Sequence, residues 1–259
     1  MLDKPIIRLA DLAPVLDDRP LRKRIGLIIL ATDHTSEPDF ARMVSSEEIG
    51  VYVTRIPYAN PTTPENLRKM QPVLTDGARL LLPDAELDAI CYSCTSASVV
   101  IGDEEVAAAI RAAKPGVPVV TPTDASVKAL QELGAKRISV LTPYTVETSQ
   151  PMADYFTDRG FDIRSFICLG LDDDRDMARI SHTSLIEHAK DAIAPDADAL
   201  FISCTAVRAA AVVPRIEDAI GKPVVSSNLA SAWACLRICG DKAARPELGQ
   251  LMTLPGNWA

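Results

Sequence analysis

The sequence predicts an α/β protein of two pseudosymmetric lobes, each with a mostly parallel four-stranded sheet flanked by helices and with the active site in the cleft between them. Three observations predict it. Short β-branched runs alternate with helical stretches, which implies right-handed βαβ crossovers. The apolar content sits in Ala, Val, Leu and Ile while aromatics are only 5% of the 259 residues, a balance that suits helices on parallel sheets. The chain also repeats itself. Asp88–Thr95 (DAICYSCT) aligns without gaps on Asp198–Thr205 (DALFISCT), Pro118–Thr121 on Pro223–Ser226, and Arg24–Leu27 on Arg137–Val140. Three blocks in one order argue for two homologous halves.

Taken in order, residues 1–23 read as an extended lead-in broken by Pro5, Pro14 and Pro20. Apolar, β-branched runs predict strands at 24–30, 50–56, 88–92, 117–120, 136–141, 162–168, 198–202 and 222–225. Helical patterns cover 64–82, 103–114, 124–133, 146–159, 175–193, 207–220 and 228–239. Gly134, Gly160 and Gly221 fall where helices should stop. The last helix is expected to cross back. The first lobe is then discontinuous, 1–122 plus 227–259, and the second spans 123–226.

Composition narrows the partners. A net charge of -8 argues against a nucleic-acid surface. No apolar run is long enough to span a bilayer. The first residues carry acids and prolines where a signal peptide needs an apolar core. A cytoplasmic protein with reduced cysteines is expected. There is no G-x-G-x-x-G and no P-loop, and the C-x-x-C at Cys91 and Cys94 has no second pair to complete a zinc site. No cofactor and no metal are expected. Cys91, Cys168, Cys235 and Cys239 read as core packing.

Cys94 and Cys204 are different. Each follows the end of a parallel strand and precedes a helix start, the place where open α/β sheets bind ligands. Backbone N–H groups there can bind an anion and favour a thiolate, so a lowered thiol pKa is expected. Two opposed thiols suit proton transfer at a carbon acid, one removing a proton and the other donating one to the opposite face. Thr95, Ser96 and Thr205 are candidate donors to the enolate-like intermediate. A thiolate could instead add to an activated alkene and allow rotation. A two-lobed, non-catalytic ligand-binding protein is the rival from another class; it does not need both cysteines.

The paired motifs CYSCTSAS and FISCTAVR resemble the aspartate/glutamate racemase superfamily, over nearly the whole chain. The CTSAS block, LTPY at 141–144 and SSN at 226–228 resemble its branch of maleate cis–trans isomerases and arylmalonate decarboxylases. Within that branch the chain looks most like the ectoine utilization proteins. The resemblance implies an isomerase or racemase without cofactor, with Cys94 and Cys204 catalytic. Arylmalonate decarboxylases keep only the second cysteine, so Cys94 argues against decarboxylation. Thr95 and Ser96 match the first anion-binding loop, Thr205 starts the second, and Tyr144 matches a tyrosine that reaches the substrate carboxylate.

Two positions depart from the pattern. Asp33 and Asp174 align where maleate isomerases carry carboxylate-binding Asn residues. Each departure replaces a donor with an acceptor-only anion. A dicarboxylate would meet repulsion there, and a carboxylate substrate bearing an ammonium group would be favoured. An acylated diaminobutyrate from ectoine degradation fits; a maleate-type substrate is the alternative. A homo-oligomer is expected.

Overall fold

The computed structural model describes residues 5–256. The outer ends of the first lobe as read from the sequence, 1–4 and 257–259, lie outside the described residues. Strands β1 (Lys23–Leu30), β2 (Ile49–Ile56), β3 (Ala89–Tyr92) and β4 (Val119–Val120) form one sheet in the order β2-β1-β3-β4. Strands β5 (Arg137–Tyr144), β6 (Asp162–Leu171), β7 (Ala199–Ile202) and β8 (Val224–Ser226) form a second, ordered β6-β5-β7-β8. Every pairing is parallel. The two orders are the same, and equivalent residues share register: Ile25 lies opposite Ala89, and Ile138 opposite Ala199.

The repeated aspartate has the same work in both halves. Asp88 accepts the Arg24 N–H (2.9 Å) and Asp198 the Arg137 N–H (2.8 Å), tying the start of one strand to its neighbour. Each also pairs with a cation of that neighbouring segment, Lys23 or Arg137.

Eleven helices lie on these sheets among the described residues: α1 (Ser36–Met43), α2 (Pro64–Arg68), α3 (Gln71–Arg79), α4 (Thr95–Ile101), α5 (Asp103–Arg111), α6 (Pro122–Glu132), α7 (Val146–Asp158), α8 (Asp174–Met177), α9 (His182–Ala192), α10 (Val213–Ile220) and α11 (Ser227–Ile238). Several expected helices are shorter or divided. The stretch 64–82 breaks into α2 and α3 because Pro72 has no N–H to continue the ladder, and it sits instead in the first turn of α3. The stretch 175–193 breaks because the Ser181 hydroxyl accepts the Ser184 N–H and starts α9 afresh. In 207–220 only the part from Val213 is helical, with Pro214 in its first turn. Gly221 ends that helix at φ 65°, in the left-handed region. Helix α1 was not expected; it buries only Phe40 and Met43 among its apolar residues, too sparse a pattern to read.

Helices α6 and α11 are equivalent in the two halves, and they pack against each other. That pairing joins the lobes around a pseudo-dyad. Helix α11 also touches β3, β4 and β8, so it reaches both sheets. Cys91 and Cys235 are fully buried in this part of the core.

Helix α3 approaches β2 closely at Gly77, where an added Cβ would stand 2.6 Å from Ile56 Cγ2. Gly77→Ala is expected to destabilise by about 1–3 kcal/mol through overpacking. The helix-propensity gain of roughly 0.5–1 kcal/mol offsets only part of it. A denaturant titration checks this; a stabilised variant would refute the close contact.

Candidate active site

Both halves deliver a cysteine two residues beyond a strand end, Cys94 after β3 and Cys204 after β7. Cys94 is the residue before α4 and has ordinary extended geometry, φ -154°. Cys204 has φ +89°, a strained conformation for a residue with a side chain. Such outliers persist only where neighbours hold them, and here the neighbours come from the other lobe.

Three hydrogen bonds fix the loop that follows Cys204. Thr35 Oγ1 donates to the Ala206 carbonyl (2.6 Å), Thr205 Oγ1 donates to the Ser93 carbonyl (3.1 Å), and Asn228 Nδ2 donates to the Thr205 carbonyl (2.9 Å). Asn228 Nδ2 also donates to Asp39 Oδ2 at 2.9 Å, so a buried carboxylate orients the amide. On the other side Thr95 Oγ1 donates to Ser227 Oγ (2.8 Å). The Thr205 hydroxyl thus ties the loop after β7 to the end of β3, and the Thr95 hydroxyl ties the start of α4 to the start of α11. Asn228→Ala leaves the buried Asp39 carboxylate and the Thr205 carbonyl short of a donor. The expected cost is about 1–3 kcal/mol of stability, with a kcat that falls more than KM changes. A thermal melt and steady-state kinetics check this; an unchanged kcat would remove Asn228 from the positioning of Cys204.

The remaining expected residues divide into two groups. Tyr144, at the end of β5, lies against both the Cys204 thiol and the Ser96 hydroxyl. Ser96 Oγ is 3.9 Å from Cys94 Sγ. Asp174 acts electrostatically on both thiols. Cys94, Ser96, Tyr144, Asp174 and Cys204 therefore share one cluster. Asp33 is buried beside it, but its carboxylate caps α1: Oδ1 accepts the Thr35 and Ser36 N–H groups (2.8 and 2.7 Å) and Oδ2 accepts Ser36 Oγ (2.6 Å). Burial and the neighbouring Asp33 raise Asp174 above its ordinary 3.8 to about 6, against a 2.7 Å bond from Thr32 Oγ1 that lowers it.

The thiols depart from expectation. At Cys94 the start of α4 does lower the thiol, through the Ala97 N–H. No helix starts after Cys204, contrary to expectation, because α10 begins only at Val213; there the Tyr144 hydroxyl and the Ala206 N–H of an irregular turn lower the thiol. Burial outweighs both. Cys94 is pushed up to about 12, and Cys204 is pushed up as well, with the Asp174 charge adding to both shifts. Each cysteine is nearly sealed, 4% exposed at Cys94 and 5% at Cys204. Surface clefts of about 490 and 690 Å³ lie elsewhere, around Lys114 and around Asp103.

Sequence reasoning missed several neighbours. Tyr58 and Tyr92 join the expected Tyr144 in interacting with a site cysteine, so three of the five tyrosines in the chain do so. Tyr58 comes from the loop after β2, where its hydroxyl bonds Thr62 Oγ1. That loop is fastened across the site: Thr62 N–H donates to the Asp172 carbonyl (2.7 Å), Asn60 Nδ2 donates to Asp173 Oδ1 (3.1 Å), and Thr148 Oγ1 donates to the Thr62 carbonyl (2.9 Å). Met177 Sδ lies 4.0 Å from Cys204 Sγ. Tyr92 stands two residues before Cys94, which is its local signal in the sequence; Tyr58 comes from a distant loop and has none.

Fold and site together define a two-lobed α/β enzyme with a buried pair of cysteines. A family model for arylmalonate decarboxylase matches residues 70–252; the chain belongs to that family. It is an isomerase-type enzyme, and no helix among the described residues is long and apolar enough to cross a membrane. The maleate isomerase of Alcaligenes faecalis is 26% identical over 245 residues, covering 89% of this chain and 96% of that protein. The arylmalonate decarboxylase of Bordetella bronchiseptica is 30% identical over 139 residues, 52% of this chain and 58% of that one. The structure of Nocardia farcinica maleate cis–trans isomerase bound to Tris superposes with a TM-score of 0.81 at 25% identity, covering 89% of this chain and 97% of the other. Another structure of that enzyme, 24% identical, carries a covalently bound succinylcysteine intermediate.

Proposed function

We propose that this protein is a cofactor-independent racemase or isomerase that works with two opposed cysteines, Cys94 and Cys204, at the carbon α to a carboxylate. The substrate is an amino-acid derivative of ectoine degradation, and the working enzyme is a homo-oligomer. One observation carries the reading: two cysteines from equivalent strand ends share a closed cluster with one acid, Asp174, and hydroxyl donors, Ser96 and Tyr144.

The electrostatics favour a cationic substrate. With the site empty, Asp174 carries charge above about pH 6 and opposes both thiolates. An ammonium group placed on Asp174 cancels that repulsion, so binding itself eases ionisation of the thiol. Ser96 and Tyr144 hydroxyls donate to the carboxylate as it takes on enolate character. One thiolate accepts the α-proton and becomes a thiol. The opposite thiol gives its proton to the other face and becomes a thiolate, so proton count balances and the roles exchange. Closure excludes water, which would quench the carbanion without stereochemical control.

An acylated 2,4-diaminobutyrate retains its α-ammonium group when the side-chain nitrogen is acylated, and it meets these requirements. Incubating each stereoisomer and separating products on a chiral column is the test. Interconversion is expected; a static stereochemistry with every acylated isomer would overturn the substrate. The second reading is maleate-type cis–trans isomerisation by thiolate addition. It is favoured by the full-length maleate isomerase relatives and by the succinylcysteine adduct of the Nocardia farcinica enzyme.

A further inference from the structure

The proposed mechanism leaves Asp33 without a task. It stands after β1 and is 3% exposed. Its sequence position places it at the substrate, yet its carboxylate is turned into the protein. Oδ1 accepts the Thr35 and Ser36 N–H groups and Oδ2 accepts the Ser36 hydroxyl, so three of about four acceptor sites are taken. Capping a helix does not require a carboxylate, since Ser, Thr and Asn serve as well, and burying a charge is costly. Burial pushes the Asp33 carboxyl above its ordinary 3.8, against those bonds and the Arg55 guanidinium, which hold it down.

The two residues that this carboxylate holds each reach a cysteine loop. Thr35 Oγ1 donates to the Ala206 carbonyl at 2.6 Å, two residues beyond Cys204. Ser36 Oγ lies 2.7 Å from the Oγ of Ser93, the residue before Cys94. The Ser36 hydroxyl gives its one proton to Asp33, so Ser93 is the donor in that contact and the chain from Ser93 through Ser36 to Asp33 runs in one direction. Thr205 Oγ1 on the Ser93 carbonyl (3.1 Å) joins the two arms. Thr35, Ser36 and Ser93 are all buried. The second half of the molecule differs. The repeat that sets Arg24 on Arg137 sets Asp33 on Val146, which is 71% exposed. Ser203, the equivalent of Ser93, has a buried hydroxyl with no hydrogen-bond partner among the described residues. The fold therefore forms such a strand end without an acid, and the acid belongs to this one place.

We propose that Asp33 is a positioning residue for both thiols: its carboxylate orients Thr35, which holds the loop of Cys204, and Ser36, which holds the residue before Cys94. One side chain thereby steadies two cysteines that come from different sheets. An amide in its place keeps the Oδ1 bonds but turns a donor toward the Ser36 hydroxyl, so the chain from Ser93 loses its acceptor. The inference rests on Cys94 and Cys204 being the reacting thiols, and the test separates the two.

The test uses Asp33→Asn, Thr35→Val and Ser36→Ala in the full chain, with iodoacetamide labelling of each cysteine read by mass spectrometry. A sealed thiol reacts through local opening, so loss of a buried hydrogen bond should speed it by up to about tenfold. Asp33→Asn is expected to speed both Cys94 and Cys204, Thr35→Val chiefly Cys204, and Ser36→Ala chiefly Cys94. The half-buried Cys168 on β6 should keep its rate. With an acylated diaminobutyrate, Asp33→Asn should lose about tenfold in kcat with KM within about twofold. Adding Ser36→Ala to Asp33→Asn should slow turnover no further. A raised KM with kcat and both labelling rates unchanged would make Asp33 a substrate contact and overturn the inference. Equal acceleration at Cys168 would reduce the effect to general loosening and overturn it too. The expected labelling pattern in a protein that does not turn over this substrate supports the positioning and counts against the substrate alone. Should Asp33→Asn not fold, the other two variants carry the test: an unchanged Cys204 in Thr35→Val, or an unchanged Cys94 in Ser36→Ala, overturns the inference.

Discussion

Cys94→Ser and Cys204→Ser are each expected to abolish stereochemical inversion, with a loss of about 10³-fold or more, in the range that general acid–base groups contribute. The two variants should then differ from each other. A serine at one position leaves the opposite thiol able to remove a proton from only one face. Each variant is therefore expected to exchange the α-proton of one stereoisomer with solvent, and the two should prefer opposite stereoisomers. Proton exchange followed by NMR in D₂O reads this directly. If one variant keeps full inversion, or if both exchange the same stereoisomer, the two cysteines do not face opposite sides of the reacting carbon.

Asp174→Asn is expected to have the second-largest effect, and in two directions at once. Turnover of an ammonium-bearing substrate should fall by about 10²-fold, roughly the worth of a hydrogen bond to a charged group. Stability should rise. The folded-state pKa of about 6 lies above the ordinary 3.8, so the native protein holds this proton more tightly than the unfolded chain. Burying the acid costs little below pH 4, and the cost grows as pH rises through 6. The variant should match the parent below pH 4 and exceed it above pH 6 by about 3 kcal/mol, with the Thr32 hydroxyl still able to donate to the amide oxygen. Removal of the charge should also speed alkylation of both thiols at pH 8. Urea titrations across pH and iodoacetamide kinetics measure these effects. A variant no more stable at pH 8 than its parent, with unchanged alkylation, would mean that Asp174 does not face the thiols as a charge.

The inner strands were legible because they are buried on both faces and therefore read as unbroken apolar runs; the five residues Ile25, Leu27, Ile28, Ile29 and Leu30 of β1 are all nearly inaccessible. The repeat carried the two cysteines to equivalent places, and the shared sheet order explains why. Helix α1 escaped notice because so few of its residues are apolar, and its cap is Asp33, a residue whose side chain the sequence assigned to substrate. Divided helices were run together because a proline or serine inside a periodic stretch was given too little weight against the apolar pattern. The bonds from Thr35 and Asn228 to the Cys204 loop join residues far apart in the chain, so no local pattern carries them. The direction of the thiol shifts failed for a related reason. The helix start after Cys94 is visible in sequence, the one expected after Cys204 does not form, and the burial that raises both thiols belongs to the folded lobes.

The most direct test of the central claim is turnover of a single stereoisomer of an acylated diaminobutyrate in D₂O. A two-thiol mechanism predicts that the inverted product carries one solvent deuteron at its α-carbon, because the donating thiol bears a solvent-derived proton. Rapid conversion of maleate to fumarate, with no exchange at the α-carbon of any amino-acid derivative, would contradict it.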